Sequence, residues 1–448
     1  MPLSMNLSRY LPEDAEVRLK EYEYSGEDRS YIYKYFWRPL CRSLVTKIPM
    51  WVAPNVITVT ALVLVIFAHI FLWWWMPNIT IDPERPNPPS WIFYYAAVSL
   101  VLYQLLDNLD GHQARRTGTS SPLGLLMDHG CDALNTCVGS LSAATALCLG
   151  PTWKSWSALM VAVVVFFANT LEEYYRGSLI LPVINGANEG IFLVVGCYLY
   201  TGYMGPSVWL TEFRVPAELI PNFVSRAFQD IHLLKISDGY DLATGDIVFQ
   251  LNTVMLCMMV ASGIFTTFGN VYQIYIATTK NVTREHGAKF GVSWLCRNYP
   301  FVHALTRAIP LVGISILANV WFYFSPVDVY RAHPRLFCWT AGLLFTKLSI
   351  HLMIAHLCSV EFHPFRRTLV PFFAIGAHWF CSAAIGASKF RIDGHQLLLG
   401  DEELLLIEFF LLSATTFLHL AFNAVLEARD ALKVPVFTMP RKAVKKSQ

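Results

Sequence analysis

The residues best equipped for chemistry are four aspartates crowded into one polar interval between two apolar stretches: Asp107, Asp110, Asp128 and Asp132, within DNLDGHQARRTGTSSPLGLLMDHGCD. Asp107 and Asp110 close one apolar run at i,i+3, and Asp128 and Asp132 open the next at i,i+4, so on helices each pair shares a face. Two facing helices would merge the pairs into one four-carboxylate site. Unpaired charge is costly at low dielectric, and a carboxylate set without Cys or paired His suits a hard, oxygen-preferring cation. The expected cofactor is therefore Mg2+ or Mn2+, as two ions, with Asp107, Asp110, Asp128 and Asp132 as ligands.

Small residues accompany the acids. Gly111 and Ala114 keep one side of the first helix free of bulk, and Gly124 lies one turn before Asp128, where a ligand or a second backbone could approach closely. Arg115 and Arg116 either balance the acidic charge or grip phosphate through the planar guanidinium fork.

The ordered set Asp107-x-x-Asp110-Gly111-x-x-Ala114-Arg115, then eight residues, Gly124, three, Asp128, three and Asp132 resembles the complete signature of the CDP-alcohol phosphotransferase family. GHQARRTGTSSPLG and DHGCD, with YSGEDRSYIYKY, APNVITV, LILPVINGANEG and IAHLC elsewhere, are similar to its choline/ethanolamine branch, from Tyr24 to His356. The resemblance implies transfer of phosphoethanolamine or phosphocholine from CDP-ethanolamine or CDP-choline to diacylglycerol or alkyl-acylglycerol, with release of CMP. It also implies a homodimer. Nucleotide binding would fall to Gly111, Ala114, Arg115, Gly124 and Asn55, the last in a Pro-Asn motif at a helix entrance. For the base, the wider family points to Asp132 and the DHGCD text to His129, whose side chain has an unperturbed pKa of about 6.5.

A cationic headgroup needs carboxylates and aromatic faces, which Glu172, Tyr174 and Glu189 offer at the cytosolic ends of the fourth and fifth apolar runs; a merely solvated helix end is the plainer role. Lys347, His356 and Glu408 are polar residues inside apolar runs, site candidates by default, with packing or hydrogen bonding as the alternative. Two other functions fit part of the pattern. A cation-coupled transporter would use the intramembrane aspartates as an ion site, and a related transferase could use another alcohol, such as inositol or glycerol phosphate.

These residues need a scaffold, and composition says which kind. Of 448 residues, 54% are hydrophobic and only 15% charged, which describes an all-α polytopic membrane protein. Apolar runs recur at 53–76, 91–106, 131–149, 156–170, 191–203, 247–275, 301–324, 336–360, 368–387 and 404–426, about ten transmembrane helices. The expected domains are a cytosolic arm over 1–50, a transmembrane transferase domain over 51–430 and a basic cytosolic tail over 431–448. Residues 1–30 read as partly ordered, and 31–48, with Lys34, Arg38, Arg42 and Lys47 among aromatics, as an interfacial amphipathic helix. Ten scattered cysteines without CxxC spacing indicate small core residues rather than disulfides or zinc.

No cleavable leader is visible, so the first span directs insertion. Basic residues at Arg115, Arg116, Lys280, Arg284, Lys289, Arg297, Arg366 and Arg367 place those loops, both termini and the aspartates in the cytosol, and 202–246 in the lumen. The ending Lys445-Lys446-Ser447-Gln448 resembles a dilysine retrieval signal, implying the endoplasmic reticulum or Golgi membrane. The expected surroundings are membrane lipid, with no nucleic-acid partner.

Overall fold

The computed structural model describes residues 9–183, 185–233, 239–279, 294–325, 327–363 and 402–439, with a few isolated positions between 364 and 401. The chain is all-α apart from short ribbons. In order, the helices are α1 Ala15–Glu21, α2 Arg38–Leu44, α3 Pro54–Trp75, α4 Ser90–Thr117, α5 Pro122–Ala146, α6 Trp153–Arg176, α7 Ile191–Met204, α8 Asn222–Leu233 and α9 Leu251–Thr279. There follow α10 Trp294–Asn298, α11 Pro300–Leu305, α12 Ile309–Phe324, α13 Val329–Ala332, α14 Pro334–Leu357 and α15 Glu402–Leu432.

Among the described residues, seven helical segments are long and apolar enough to cross a membrane, with α11 and α12 counting as one. Every apolar run except 368–387, most of which lies outside the described residues, falls on a helix for most of its length, the run 247–275 beginning with the short strand Ile247–Gln250. Of the described helices built on apolar runs, two miss that threshold for physical reasons. The polar turns of the aspartate site dilute α5, and α7 is only 14 residues long.

The helices carrying the site extend beyond their apolar runs. α4 continues through Asp107 and Arg116 to Thr117 and stops at Gly118, whose φ of 65° is the left-handed cap that glycine adopts without strain. α5 begins at Pro122, where the fixed φ suits a first helical turn, and Ser121 caps it by accepting from the Gly124 N–H at 3.3 Å. Asp128 and Asp132 thus sit inside α5 rather than at its opening.

Lipid is as apolar as leucine, so close packing of small residues drives these helices together. Ala61, Ala96, Ala97, Ala133 and Ala144 are all buried between helices. α14 forms the central pillar against α5, α6 and α15, and 89% of its spanning window is enclosed by protein.

Residues 9–30, the described part of the N-terminal arm, dock against the helices. Glu427 of α15 accepts the backbone N–H groups of Tyr10 at 3.0 Å and Leu11 at 2.8 Å, charge-assisted bonds of about 1.5–3 kcal/mol each. Farther along, strand β1 Gly26–Asp28 pairs in parallel with β2 Leu179–Leu181 just after α6. A polar composition does not reveal such docking, because backbone donors supply the contacts. The expected helix over 31–48 is present as a π-turn at Tyr33–Trp37, then α2, then a 3-10 turn at Val45–Lys47. Its buried stripe of Trp37, Cys41 and Val45 turns inward, Cys41 and Val45 packing with Ile57 and Leu109, while Arg116 donates to Ile48 O at 2.7 Å. The segment 202–246, read as a loop, contains α8 and strand β3 Glu212–Val215, which pairs antiparallel with β4 Ile247–Gln250.

Candidate active site

The N-terminal ends of α3 and α5 and the C-terminal ends of α4 and α6 enclose a cavity of about 640 Å³, roofed by the N-terminal arm and by residues 434–439 after α15. Asp107, Asp110, Asp128 and Asp132 all line it. Asp107, Asp128 and Asp132 each present an oxygen to one cluster whose ligand atoms lie within 4.8 Å of one another. Asp110, one turn from Asp107, accepts a short hydrogen bond from the Thr58 hydroxyl of α3 and stands beside that cluster. The Tyr103 hydroxyl donates to Asp132 Oδ1 at 2.6 Å, orienting it. Oδ1 of Asp128 is fully buried with no donor among the described residues. A buried carboxylate oxygen left without a donor is unfavourable by itself. Together with an all-oxygen donor set it fits a divalent cation.

The nucleotide candidates gather on one side. Asn55, Gly111, Ala114, Arg115 and Gly124 all line the cavity, whereas Arg116 turns away to the carbonyls of Val45 and Ile48 in and after the 3-10 turn. Gly124 faces Asn55, whose Oδ1 lies 3.6 Å from the place a Cβ would take, so a methyl there would make ordinary contact and a longer side chain would enter the cavity. Gly111 faces the Arg115 guanidinium, 3.4 Å from the corresponding point. Asn55 is also tied to the chain's end, donating through Nδ2 to Val436 O at 2.8 Å.

The three headgroup candidates are not in the cavity wall. Glu172 pairs with Arg176 at 2.6 Å. Tyr174 donates to Val360 O at 3.0 Å and accepts from the Phe362 N–H at 3.1 Å, pinning the segment after α14. Glu189 accepts from the Ser30 hydroxyl at 2.7 Å and the Asn185 N–H at 2.9 Å, closing the loop before α7.

In their place, Glu173 reaches the cavity, with Oε2 3.7 Å from Nδ1 of His129 and Oε1 3.8 Å from Nε2 of His356. His356 also meets the Tyr22 hydroxyl at 3.1 Å, so α14 and the N-terminal arm join one network with α5 and α6. Tyr22, Tyr24 and Asp28 of the arm line the cavity too. Burial raises the Asp28 carboxyl, opposed by the Ser30 N–H and the Asn188 amide, which donates to it at 2.7 Å. Sequence reading missed Glu173, Asp28 and Asn188. The only available signals were the run Glu172-Glu173 and the quoted texts holding Asp28 and Asn188. Lys347 is buried within α14, and Glu408 lies on α15; neither lines the cavity.

Residues 51–199, which contain the whole aspartate cluster, match the family described as CDP-alcohol phosphatidyltransferase. The chain carries a CDP-alcohol phosphotransferase domain. Similarity extends well past this domain. An Arabidopsis thaliana protein named choline/ethanolaminephosphotransferase 1 is 29% identical over 435 residues, 97% of this chain and 99% of the relative. A Danio rerio protein named cholinephosphotransferase 1 is 29% identical over 354 residues, 77% of this chain and 78% of its own. One from Saccharomyces cerevisiae with the same name is 31% identical over 245 residues, 54% and 59%. The arm and the segment after α15, both outside the matched domain, complete the cavity wall around it.

Proposed function

We propose that the chain transfers phosphoethanolamine or phosphocholine from its CDP ester to the free hydroxyl of diacylglycerol or alkyl-acylglycerol, making phosphatidylethanolamine or phosphatidylcholine. The observation that carries this is the convergence of Asp107, Asp128 and Asp132 at the base of a cavity walled by Asn55 and Arg115. Asp107, Asp128 and Asp132, with Asp110, would hold two Mg2+ or Mn2+ ions, which supply neutralising charge for the pyrophosphate. Arg115 adds a fixed positive charge on the nucleotide side. Gly111, Ala114 and Gly124 leave room for close approach of the ester, with Asn55 at its edge.

His129 serves as the base. Glu173 beside Nδ1 favours the tautomer with its proton there, leaving Nε2 to take the acceptor's hydroxyl proton. The acceptor oxygen bonds to the headgroup phosphorus, the bond from that phosphorus to the bridging oxygen breaks, and CMP departs with the electron pair. Asp132, held by Tyr103, is the other base candidate and completes the ligand set. The arm's Tyr22, Tyr24 and Asp28, rather than Glu172, Tyr174 or Glu189, border the space left for an amine headgroup. The protein acts as a homodimer in the endoplasmic reticulum membrane, with cavity and termini cytosolic.

The test is transfer by purified protein given CDP-ethanolamine or CDP-choline, a divalent cation and diacylglycerol, with CMP and phospholipid measured together. Equimolar products support the reading, and CMP release independent of any lipid acceptor refutes it.

A further inference from the structure

α6 separates two cavities. Phe166, Asn169, Thr170 and Glu173 face the catalytic one, and Val164, Phe167, Ala168 and Leu171 face a second of about 510 Å³ bounded by α9, α11 and α12. At about 100° per residue these two sets lie on opposite sides of the helix. The second cavity begins just past the point where α6 and α9 nearly touch, since a Cβ on Gly263 would stand 2.4 Å from Val161. The Asn169 and Asn270 amides, bonded to each other across the same two helices, fix their spacing again.

The lining is hydrocarbon almost throughout, from Leu311 to Val320 along α12, about 14 Å of helix at 1.5 Å per residue. Its Asn319 is already satisfied, accepting from Trp156 Nε1 at 3.0 Å and donating to Ser315 O at 2.8 Å, so no polar ligand is called for. The surrounding outer face of α9 is apolar and exposed at Ile264, Phe265 and Phe268, and the lining residues Val312 and Ile316 are themselves exposed. Helices of this length and composition stand in the bilayer, where the medium reaching such a cleft is lipid tail. A volume of this size falls in the ~300–1,000 Å³ range of sites for single small ligands.

We infer that this cleft is a binding site for one acyl or alkyl chain of a bilayer phospholipid, distinct from the lipid acceptor. α6, ~10 Å across with its side chains, separates this cleft from the aspartate cavity that the acceptor's hydroxyl must reach. The bound chain braces α6 from behind, on the helix that carries Glu173 and Asn169 to the reacting groups.

The experiment uses the full-length protein in nanodiscs with phosphatidylcholine bearing a photoreactive diazirine in its acyl chain. Labelled peptides are expected to include residues 164–171 and 267–274. Ala308→Phe and Ala168→Phe, which fill the cleft from opposite walls, should each reduce that labelling at least several-fold, and excess dioctanoylglycerol should not. Unchanged monodispersity and unchanged KM for the CDP ester certify that the variants are folded. Labelling that persists in both folded variants overturns the site. Competition by dioctanoylglycerol, or a raised KM for the acceptor alone, overturns the assignment by making the cleft the acceptor's own. Loss of CDP-ester transfer in the wild type would refute the proposed function but leave this result standing.

Discussion

Oε2 of Glu173 lies 3.7 Å from Nδ1 of His129, joining α6 to α5 at the edge of the aspartate cluster. The contact links a carboxylate and an imidazole 44 positions apart, and it sorts two neighbouring glutamates into different jobs, since Glu172 is turned to Arg176.

The histidine and the two glutamates therefore give a graded expectation. His129→Ala should keep metal-dependent binding of the CDP ester and lose most of the ~10²–10⁴-fold that general-base catalysis supplies. Glu173→Gln should lower kcat by less than that and leave KM near normal, because it misorients the imidazole without removing it. Glu172→Gln should transfer at nearly the wild-type rate. The wild-type rate should fall as the medium is acidified, since a protonated imidazole accepts nothing, and His129→Ala should lose that dependence. Steady-state kinetics across pH on the four proteins decide it. Near-normal turnover by His129→Ala, beside an Asp132→Asn protein that binds the ester but is inert, would move the base to Asp132.

Removal of the cation is expected to act like removal of its ligands. Asn in place of Asp107, Asp110 or Asp128 should abolish transfer while the protein stays folded, and EDTA should do the same reversibly, with activity restored by Mg2+ or Mn2+. Binding of Mn2+, followed by electron paramagnetic resonance, supplies a readout independent of turnover. Because Thr58 already donates to Asp110, Thr58→Ala should weaken metal affinity without abolishing transfer. Retention of stoichiometric Mn2+ by Asp128→Asn and Asp107→Asn proteins alike would show that the ions lie elsewhere.

Asn55 couples the cavity wall to the segment after α15 by donating to Val436 O. Asn55→Ala is expected to raise KM for the CDP ester several-fold and to speed amide hydrogen exchange over residues 434–439, read by mass spectrometry. The acceptor KM should be unaffected. Faster exchange without a change in KM would leave Asn55 as a fastener of the tail alone.

The sequence by itself determined what depends on short separations. Positions three and four apart share a helical face whatever the rest of the chain does, so the pairs Asp107/Asp110 and Asp128/Asp132, with Gly111, Ala114 and Gly124 beside them, were legible as one surface each. The apolar runs located the spans for the same reason, and fell short at α4 and α5 because the turns that carry the site are polar. Tertiary structure alone decided which of Glu172 and Glu173 meets the cavity. Adjacent helical residues point about 100° apart, and only the packing of α6 between α5, α9 and α14 fixes which direction is inward. The same holds for Tyr22, Tyr24 and Val436, whose place in the cavity wall rests on contacts such as Tyr10 with Glu427, 417 positions apart. No local pattern encodes such a contact, because its energy comes from two backbone amides finding a distant carboxylate.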